Sequence, residues 1–224
     1  MSTDTETLPQ AHRPPSQPAG VWLPHYWPEL APTSAWLSHT TYQRMIVPAL
    51  LSLGFLVRLL VAIFFSTETE DTANYHRVAL ILLHGGRLYV DTHGIYPYPP
   101  PWALVEVAAA TVSAAWHLPF VVCVTLLPIL ADIGIGYLVY LLLAHRFEVA
   151  LGTLVLYTFN PLTILISSLH GQFDSLPIFF VMLAIYVSRR RRGYVIPALC
   201  LAAGIAIKSF PVLLLPLFLL RVSG

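Results

Sequence analysis

Long apolar runs are the feature that most restricts how this chain folds. From Met45 to the last residue, several stretches approach the roughly 20 apolar residues that a membrane-spanning helix needs. Charged residues make up only 10% of the chain, whereas a soluble domain carries roughly a quarter. So little charge cannot cover a water-exposed surface. The sequence therefore predicts an all-α protein in a bilayer, a polytopic transmembrane helix bundle.

The first 43 residues differ from the rest of the chain. They contain seven prolines among Ser, Thr, Gln and His, and they show no helical apolar period. Such a segment buries too little surface to offset its ordering entropy, and it lacks the features of a signal peptide. We predict a disordered, proline-rich tail over residues 1–43 and a transmembrane module over residues 44–224. Its three tryptophans indicate that part of the tail lies on the bilayer surface.

The module divides into one long polar loop and a series of apolar segments. The loop, Thr67–Pro101, contains an amphipathic helix over Thr72–His84, which we expect to rest on the membrane surface and to end at two glycines. Three prolines at the end of the loop suit the first turn of the next helix. The predicted spans are Met45–Ser66, Trp102–Trp116, Phe120–Ala144, Ala150–Ser168, Leu176–Ser188 and Tyr194–Ile207, and a last run, Phe210–Leu220, is too short to be counted.

Basic residues set the predicted orientation. Arg189–Arg192 form a dense cluster, which the positive-inside tendency places in the cytoplasm. Arg44 places the N-terminal end of the first span on the same side. The loop Thr67–Pro101 and the segment His170–Asp174 are therefore expected outside, in an integral, multi-pass protein of the cell membrane.

This orientation requires an odd number of spans between the loop and the arginine cluster, but four are counted. Proline disfavours helix in the residue before it. We therefore expect the Asn160–Pro161 step to divide Ala150–Ser168 into two short helices that fold back at the break, which restores an odd count.

Polar residues from three distant segments gather on the predicted outer side. In chain order they are Asp71, Arg87, His170, Gln172, Asp174 and Lys208. Polar groups at a membrane edge are costly, and they indicate a functional site by default. Each also has a structural interpretation: Asp71 as a solvated loop residue, Asp174 as a helix cap, Lys208 as a side chain that snorkels to the interface.

Three further charges lie inside apolar segments. We expect Arg58 and Asp132 to be structural and to neutralise each other or a backbone group, and we expect Glu106 to face the outer cavity. The sequence predicts no metal site and no cofactor, and it leaves a divalent-metal requirement open. A net charge of +1 gives no indication of a nucleic-acid partner.

The order of the polar segments is more specific than any one of them. An arginine late in the first span and an outer-loop aspartate precede the motifs GGRLYVDTHGIYPYPP, LADIGIGYLVYLL, NPLTILISSLHGQFDSLPIFF and GIAIKSFPVLLLPLFLL. This combination resembles the GT-C superfamily of integral membrane glycosyltransferases, and above all its family 87-type mannosyltransferases and related glucosyltransferases. The resemblance extends from about Arg58 to Leu220.

The resemblance implies an enzyme that moves a hexose, expected to be mannose, from a polyprenyl or dolichyl phosphate to a glycan or lipid-linked acceptor on the outer face. It implies Asp71 as the general base, with His170, Gln172 and Asp174 lining the cavity and Lys208 holding the donor phosphate. This assignment suits the chemistry, since a leaving lipid phosphate needs a nearby cation rather than a proton donor. Arg77 or Arg87 is expected to share that role. Tyr98 either supports the sugar or lipid, or belongs to an aromatic belt.

The chain departs from the family pattern in two places. Some relatives carry a second acidic residue where this chain has Pro97. Such enzymes also have more spans, which predicts that the chain is an N-terminal fragment of one and inactive alone. The alternative hypothesis is a transporter or lipid-handling protein, with a pathway through Arg58, Glu106 and Asp132 near the membrane midplane. A purely structural subunit is a third.

Overall fold

The computed structural model describes residues 41–190 and 193–222. The predicted tail lies outside these residues except for its last three positions, which begin the first helix. Arg191 and Arg192 of the basic cluster also lie outside them. The described residues form helices and no strand, so the all-α prediction is confirmed.

The helices, in chain order, are α1 (Thr41–Phe64), α2 (Glu70–Leu83), α3 (Pro100–Trp116), α4 (Phe120–Leu143), α5 (Phe147–Thr158), α6 (Pro161–Ile164), α7 (Ser175–Arg190), α8 (Val195–Ile207) and α9 (Leu215–Val222). A π-helical turn, Leu165–Leu169, continues α6, and a 3₁₀ turn, Phe210–Leu214, precedes α9.

Two of these helices are long and apolar enough to cross a membrane, by length and composition. They are Arg44–Phe64 within α1 and Phe120–Leu143, which is α4. The pair formed by α5 and by α6 with its π turn becomes a third if it is counted as one bent span. α8 is apolar but has only 13 residues. By length and composition, the described chain thus has two or three candidate membrane-spanning helices.

The long helices run between two ends of the bundle. At one end, Val47 of α1 packs with Leu138 and Leu141 of α4 and with Ala150 of α5, and α7 ends there at Arg190. We name this the Arg189 end. The opposite end holds α2 and residues 170–174, and we name it the Asp71 end.

The Asp71 end is fixed by contacts between distant segments. His76 of α2 stacks on Phe120 at the start of α4 (ring centroids 4.4 Å apart). Ser175, which begins α7, donates a hydrogen bond to the Pro128 carbonyl of α4 (2.9 Å). α8 returns to the same end, because Ile207 packs into the core there. The helices therefore alternate in direction, with α1, α5–α6 and α8 running toward the Asp71 end, and α4 and α7 running away.

α3 does not follow this alternation. Its start contacts α2 through Trp102 and Tyr75 (5.6 Å between ring centroids), and Phe120, just after its end, contacts the next residue of α2, His76. Its buried apolar residues all belong to the core of the Asp71 end. The expectation that Trp102–Trp116 crosses the bundle is therefore wrong.

The Asn160–Pro161 step breaks the chain as predicted, but the chain does not fold back there. The helices on its two sides differ in direction by 43°, so they continue toward the same end. The Arg58 guanidinium explains this alignment, because it donates to the Thr158 carbonyl before the break and to the Thr163 hydroxyl after it (3.0 Å). Between the first loop and Arg189 the described chain therefore crosses the bundle an odd number of times, through α4, the α5–α6 pair and α7, because α3 does not cross it.

The amphipathic helix predicted in the first loop is α2, which begins two residues earlier than expected. Two glycines end it in a Schellman motif: the Gly85 N–H bonds to the Leu82 carbonyl, and the Gly86 N–H bonds to the Ile81 carbonyl. Gly85 has a φ of +82°, a conformation that glycine adopts without strain. The buried face of α2 packs on α3 rather than being free.

Candidate functional site

The candidate site is built on the start of α2. Thr69 and Thr72 form a capping box, in which each side-chain oxygen accepts a hydrogen bond from the other residue's backbone N–H (3.3 and 2.8 Å). This fixes the first turn, where Asp71 lies half-buried. A carboxylate is also favoured there because the helix dipole leaves partial positive charge at the N-terminus.

The segment between the π turn and α7 reaches Asp71 from the other side. Gly171 has a φ of +67°, and a Cβ at this position would lie 2.7 Å from the Thr72 methyl carbon and 3.3 Å from that of Thr125. Only glycine fits this approach between α2 and α4. The turn then directs the Gln172 amide to donate a hydrogen bond to the Asp71 carboxylate.

The same segment also reaches α8. Lys208, the residue that caps α8, donates to the Asp174 carboxylate and forms an ion pair with it. Its ammonium also lies over the rings of Phe173 (5.0 Å) and Tyr98 (5.7 Å), which are cation–π distances. Residues 172 and 174 therefore connect α2 to α8, with Phe173 between them.

An aromatic cluster holds this segment in place. Phe173 is fully buried, and its ring stacks on Trp102 (4.0 Å between centroids) and meets Tyr98 edge-on (4.9 Å). Tyr75 meets both Trp102 and Phe173 edge-on. Burial raises the pKa of Tyr75 and of Tyr96 above the ordinary value for tyrosine. These phenols therefore stay neutral at physiological pH.

Two of the candidate site residues do not join the group. His170 is exposed, and no hydrogen bond or ion pair joins its side chain to Asp71 within the described chain. Arg87 is largely exposed and pairs with Asp91 in its own loop (3.5 Å). Hydrogen bonds from Arg87 lower the pKa of Asp91. The described structure therefore gives Arg87 a local partner and no contact with Lys208 or Asp71.

The charges within apolar segments fall into two groups. Arg58 and Asp132 come together inside the bundle (Nε to Oδ2 3.6 Å), and Tyr157 donates to the same carboxylate (3.1 Å). The expectation that Glu106 faces an outer cavity is wrong, because its side chain is fully buried against the core. Burial raises the pKa of Glu106 to about 9.

The sequence reasoning missed three residues that shape the site. Gly171 and Thr72 make the close approach between segments, and Phe173 anchors the segment in the core. A glycine between polar residues, here His170 and Gln172, is a usable sequence signal for such a turn. No group of three or more His, Cys, Asp or Glu residues suitable for a metal ion occurs in the described part of the chain.

The arrangement offers a half-buried carboxylate held by an amide and, across one aromatic ring, an ammonium ion. A carboxylate can accept a proton from a hydroxyl group, and an ammonium ion can bind an anion. Comparisons with protein-family models, curated proteins and solved structures give no match to this chain.

Proposed function

We propose that this chain is a multi-pass membrane glycosyltransferase, or a part of one, that uses a polyprenyl or dolichyl phosphate sugar, with mannose as the first candidate, as donor. The observation that carries the proposal is a pair of contacts: the hydrogen bond from Gln172 to Asp71 and the ion pair between Lys208 and Asp174. Three segments far apart in sequence thereby bring a carboxylate and an ammonium ion to one end of the bundle, which supports the proposal.

The helix directions support a membrane protein with its site on the outer face. α1, α4, the bent α5–α6 pair, α7 and α8 would make five passes, and α3 would remain at the outer edge. Arg44, Arg146, Arg189 and Arg190 all belong to the Arg189 end, so the positive-inside tendency makes that end cytoplasmic. The candidate site then faces outward, where a lipid-linked sugar is accessible from the bilayer.

The proposed reaction uses Asp71 as the base. The acceptor hydroxyl gives its proton to the Asp71 carboxylate while its oxygen forms a bond with the anomeric carbon of the donor sugar. The bond from that carbon to the phosphate oxygen breaks, and the electron pair leaves with the lipid phosphate. Gln172 holds one Asp71 oxygen, which leaves the other oriented to the acceptor.

Lys208 stabilises the departing phosphate in this proposal. A compact ammonium acts as a point charge for developing negative charge. Because Lys208 pairs with Asp174 in the described structure, a donor phosphate has to share or replace that partner. The part-exposed position of both side chains makes such an exchange inexpensive.

The alternative of a transporter finds less support in the geometry. Its pathway would pass Arg58 and Asp132, but Arg58 is fully buried and bonds to a backbone carbonyl, a threonine and the aspartate. A fully buried arginine with these fixed partners is typical of a structural ion pair rather than of a transport pathway. Glu106 is likewise enclosed and lines no passage.

Sugar transfer by Asp71→Asn tests the proposal. Membranes that contain the full-length protein are supplied with polyprenyl phosphate mannose and an acceptor lipid, and the lipid-linked product is measured. Asp71→Asn should abolish transfer at an unchanged protein level. The matched control is Glu70→Gln, the same kind of change at the neighbouring exposed position, which should retain activity. Transfer by Asp71→Asn at the wild-type rate would exclude the assigned base.

A further inference from the structure

The break between α5 and α6 takes one backbone carbonyl away from its usual partner. In a continuous helix, the Leu162 N–H would donate to the Thr158 carbonyl four residues earlier. Here the Leu162 N–H bonds instead to the side-chain oxygen of Asn160 (2.9 Å), and Pro161 has no N–H to offer. An unpaired carbonyl inside a bundle is costly, so the freed carbonyl needs another donor.

Arg58 of α1 supplies that donor. One guanidinium nitrogen donates to the Thr158 carbonyl before the break, and another donates to the Thr163 hydroxyl after it (3.0 Å). A planar guanidinium can serve two acceptors in a fixed geometry. Asp132 of α4 forms an ion pair with Arg58 (3.6 Å) and accepts a hydrogen bond from Tyr157 (3.1 Å). One cation thus connects α1 and α4 to both sides of the break.

Two glycines let α1 and α4 come close to the break. Gly54 lies one turn before Arg58, and a Cβ at this position would overlap the methyl carbon of Thr158. Gly136 lies one turn after Asp132, and its Cβ would lie 3.1 Å from the Thr158 hydroxyl oxygen. Each of the two helices therefore brings a glycine against Thr158 and, one turn away, one member of the buried ion pair.

We propose that Arg58 is a positioning residue: it replaces the backbone donor that the break removes, and it thereby sets the direction in which α6 carries residues 170–174 to the Asp71 end. The π turn that follows α6 packs against α1 and α4. Gln172 and Asp174 come directly after it and bond to Asp71 and Lys208. The consequence for sugar transfer rests on the proposed function, whereas the replaced donor does not.

A lysine at position 58 separates this role from that of a plain ion pair. An ion pair with Asp132 needs only a positive charge, which lysine also carries. Donation to acceptors on both sides of the break needs the planar fork of a guanidinium. If the ion pair were the whole role of Arg58, the lysine variant would therefore resemble the wild type.

Thermal unfolding of the full chain in detergent tests the replaced donor. Arg58→Lys should lower the Tm by about 3–8 °C, because the hydrogen bonds across the break are lost while the charge is kept. An unchanged Tm would overturn the proposal.

The same change is then made in a chain whose break can close. In Asn160→Ala/Pro161→Ala the Leu162 N–H is free to bond to the Thr158 carbonyl, as in a continuous helix. Arg58→Lys should lower the Tm by a smaller amount in this background, because the carbonyl then has a backbone donor. Equal losses in the two backgrounds would contradict the proposed replacement.

Thr163→Val is a milder change that tests the other side of the break. Valine keeps the shape of threonine and removes the hydroxyl that accepts from Arg58, so the Tm should fall. Thr153→Val is the matched control, because the Thr153 hydroxyl donates to the Val149 carbonyl within its own helix (2.8 Å). A loss in Thr163→Val no larger than that in Thr153→Val would also overturn the proposal.

The rate of sugar transfer tests the consequence for the site. Measured per folded protein and well below the Tm, the kcat of Arg58→Lys should fall by about tenfold, because Gln172 is displaced from Asp71. Val47→Ala weakens the core at the Arg189 end and should lower the Tm without changing kcat. A wild-type kcat in Arg58→Lys would exclude the positioning role. If the wild type itself transfers no sugar, the proposed function fails, and the Tm comparisons still decide whether Arg58 replaces the donor.

Discussion

Replacing Glu106 by glutamine should change how the stability of this protein depends on pH. Burial raises the pKa of Glu106 from an ordinary 4.5 to about 9. The folded state therefore keeps this proton up to about pH 9, while the unfolded chain releases it near its ordinary pKa. Because unfolding releases a proton between these two values, rising pH favours the unfolded state. Glutamine has nearly the same shape and no proton to lose.

The size of the effect follows from the pKa difference. Each pH unit between the two pKa values changes the free energy of unfolding by about 1.4 kcal/mol. Glu106→Gln should therefore match the wild type near about pH 4.5 and exceed it by on the order of 3 kcal/mol at about pH 7. This is an upper value, because relaxation of the surroundings around an ionised Glu106 would lower its pKa. Tyr75 and Tyr96 face the same region, and their raised pKa values keep them neutral throughout.

Scanning fluorimetry in detergent at several pH values between about 5 and 8 measures this difference. The Tm of Glu106→Gln minus that of the wild type should rise steadily with pH, by about 2–4 °C for each kcal/mol. Other titrating groups are the same in both proteins and cancel. Glu70→Gln, at an exposed glutamate on α2, should show no such rise. A difference that is flat or falls with pH would refute the assignment of a buried, protonated Glu106.

Two further predictions concern the segment that connects α2 to α8. Gly171→Ala should lower the free energy of unfolding by about 1–3 kcal/mol, because the φ of Gly171 is +67° and an added Cβ would meet a threonine methyl. The control Gly152→Ala lies in open space inside α5 and should raise the free energy of unfolding by ~0.5 kcal/mol. Equal effects of the two changes in thermal unfolding would contradict this prediction. Asp174→Asn should bind a polyprenyl phosphate up to about fivefold more tightly by freeing Lys208, whereas Lys208→Gln should bind it more weakly. Titration of each variant with the polyprenyl phosphate in detergent measures the affinity. If both variants bound it more tightly, or both more weakly, Lys208 would be excluded as the phosphate site.

Local signals in the sequence predicted the local structure well. Apolar positions three and four residues apart identified α2, the glycine pair marked its end, and proline marked both the start of α3 and the break before α6. Each of these features depends on residues within one or two turns of helix. Their physical causes are the missing N–H of proline and the positive φ of glycine, which act wherever the segment is placed.

Pairing between distant segments was beyond the reach of such signals. The polar residues of the segment before α7 were identified as a group, but their bonds to Asp71 and Lys208 depend on how α2 and α8 pack. Arg87 shows the converse, since its own loop supplies an aspartate that pairs with it. The direction of a helix is likewise not predictable from the segment alone, because length and hydropathy do not show at which end of the bundle the helix ends.

The position of α3 gives the sharpest test of the described topology. Three single-cysteine variants, His117→Cys after α3, Val90→Cys in the first loop and His145→Cys before α5, change exposed positions in a chain whose native cysteines are replaced by alanine. Intact cells are then treated with a maleimide that does not cross membranes. Because α3 begins and ends beside α2, the His117→Cys variant should react like Val90→Cys, and His145→Cys should react only after the cells are opened. If α3 crossed the membrane, the His117→Cys variant would instead follow His145→Cys, and the outward site would lose one of its walls.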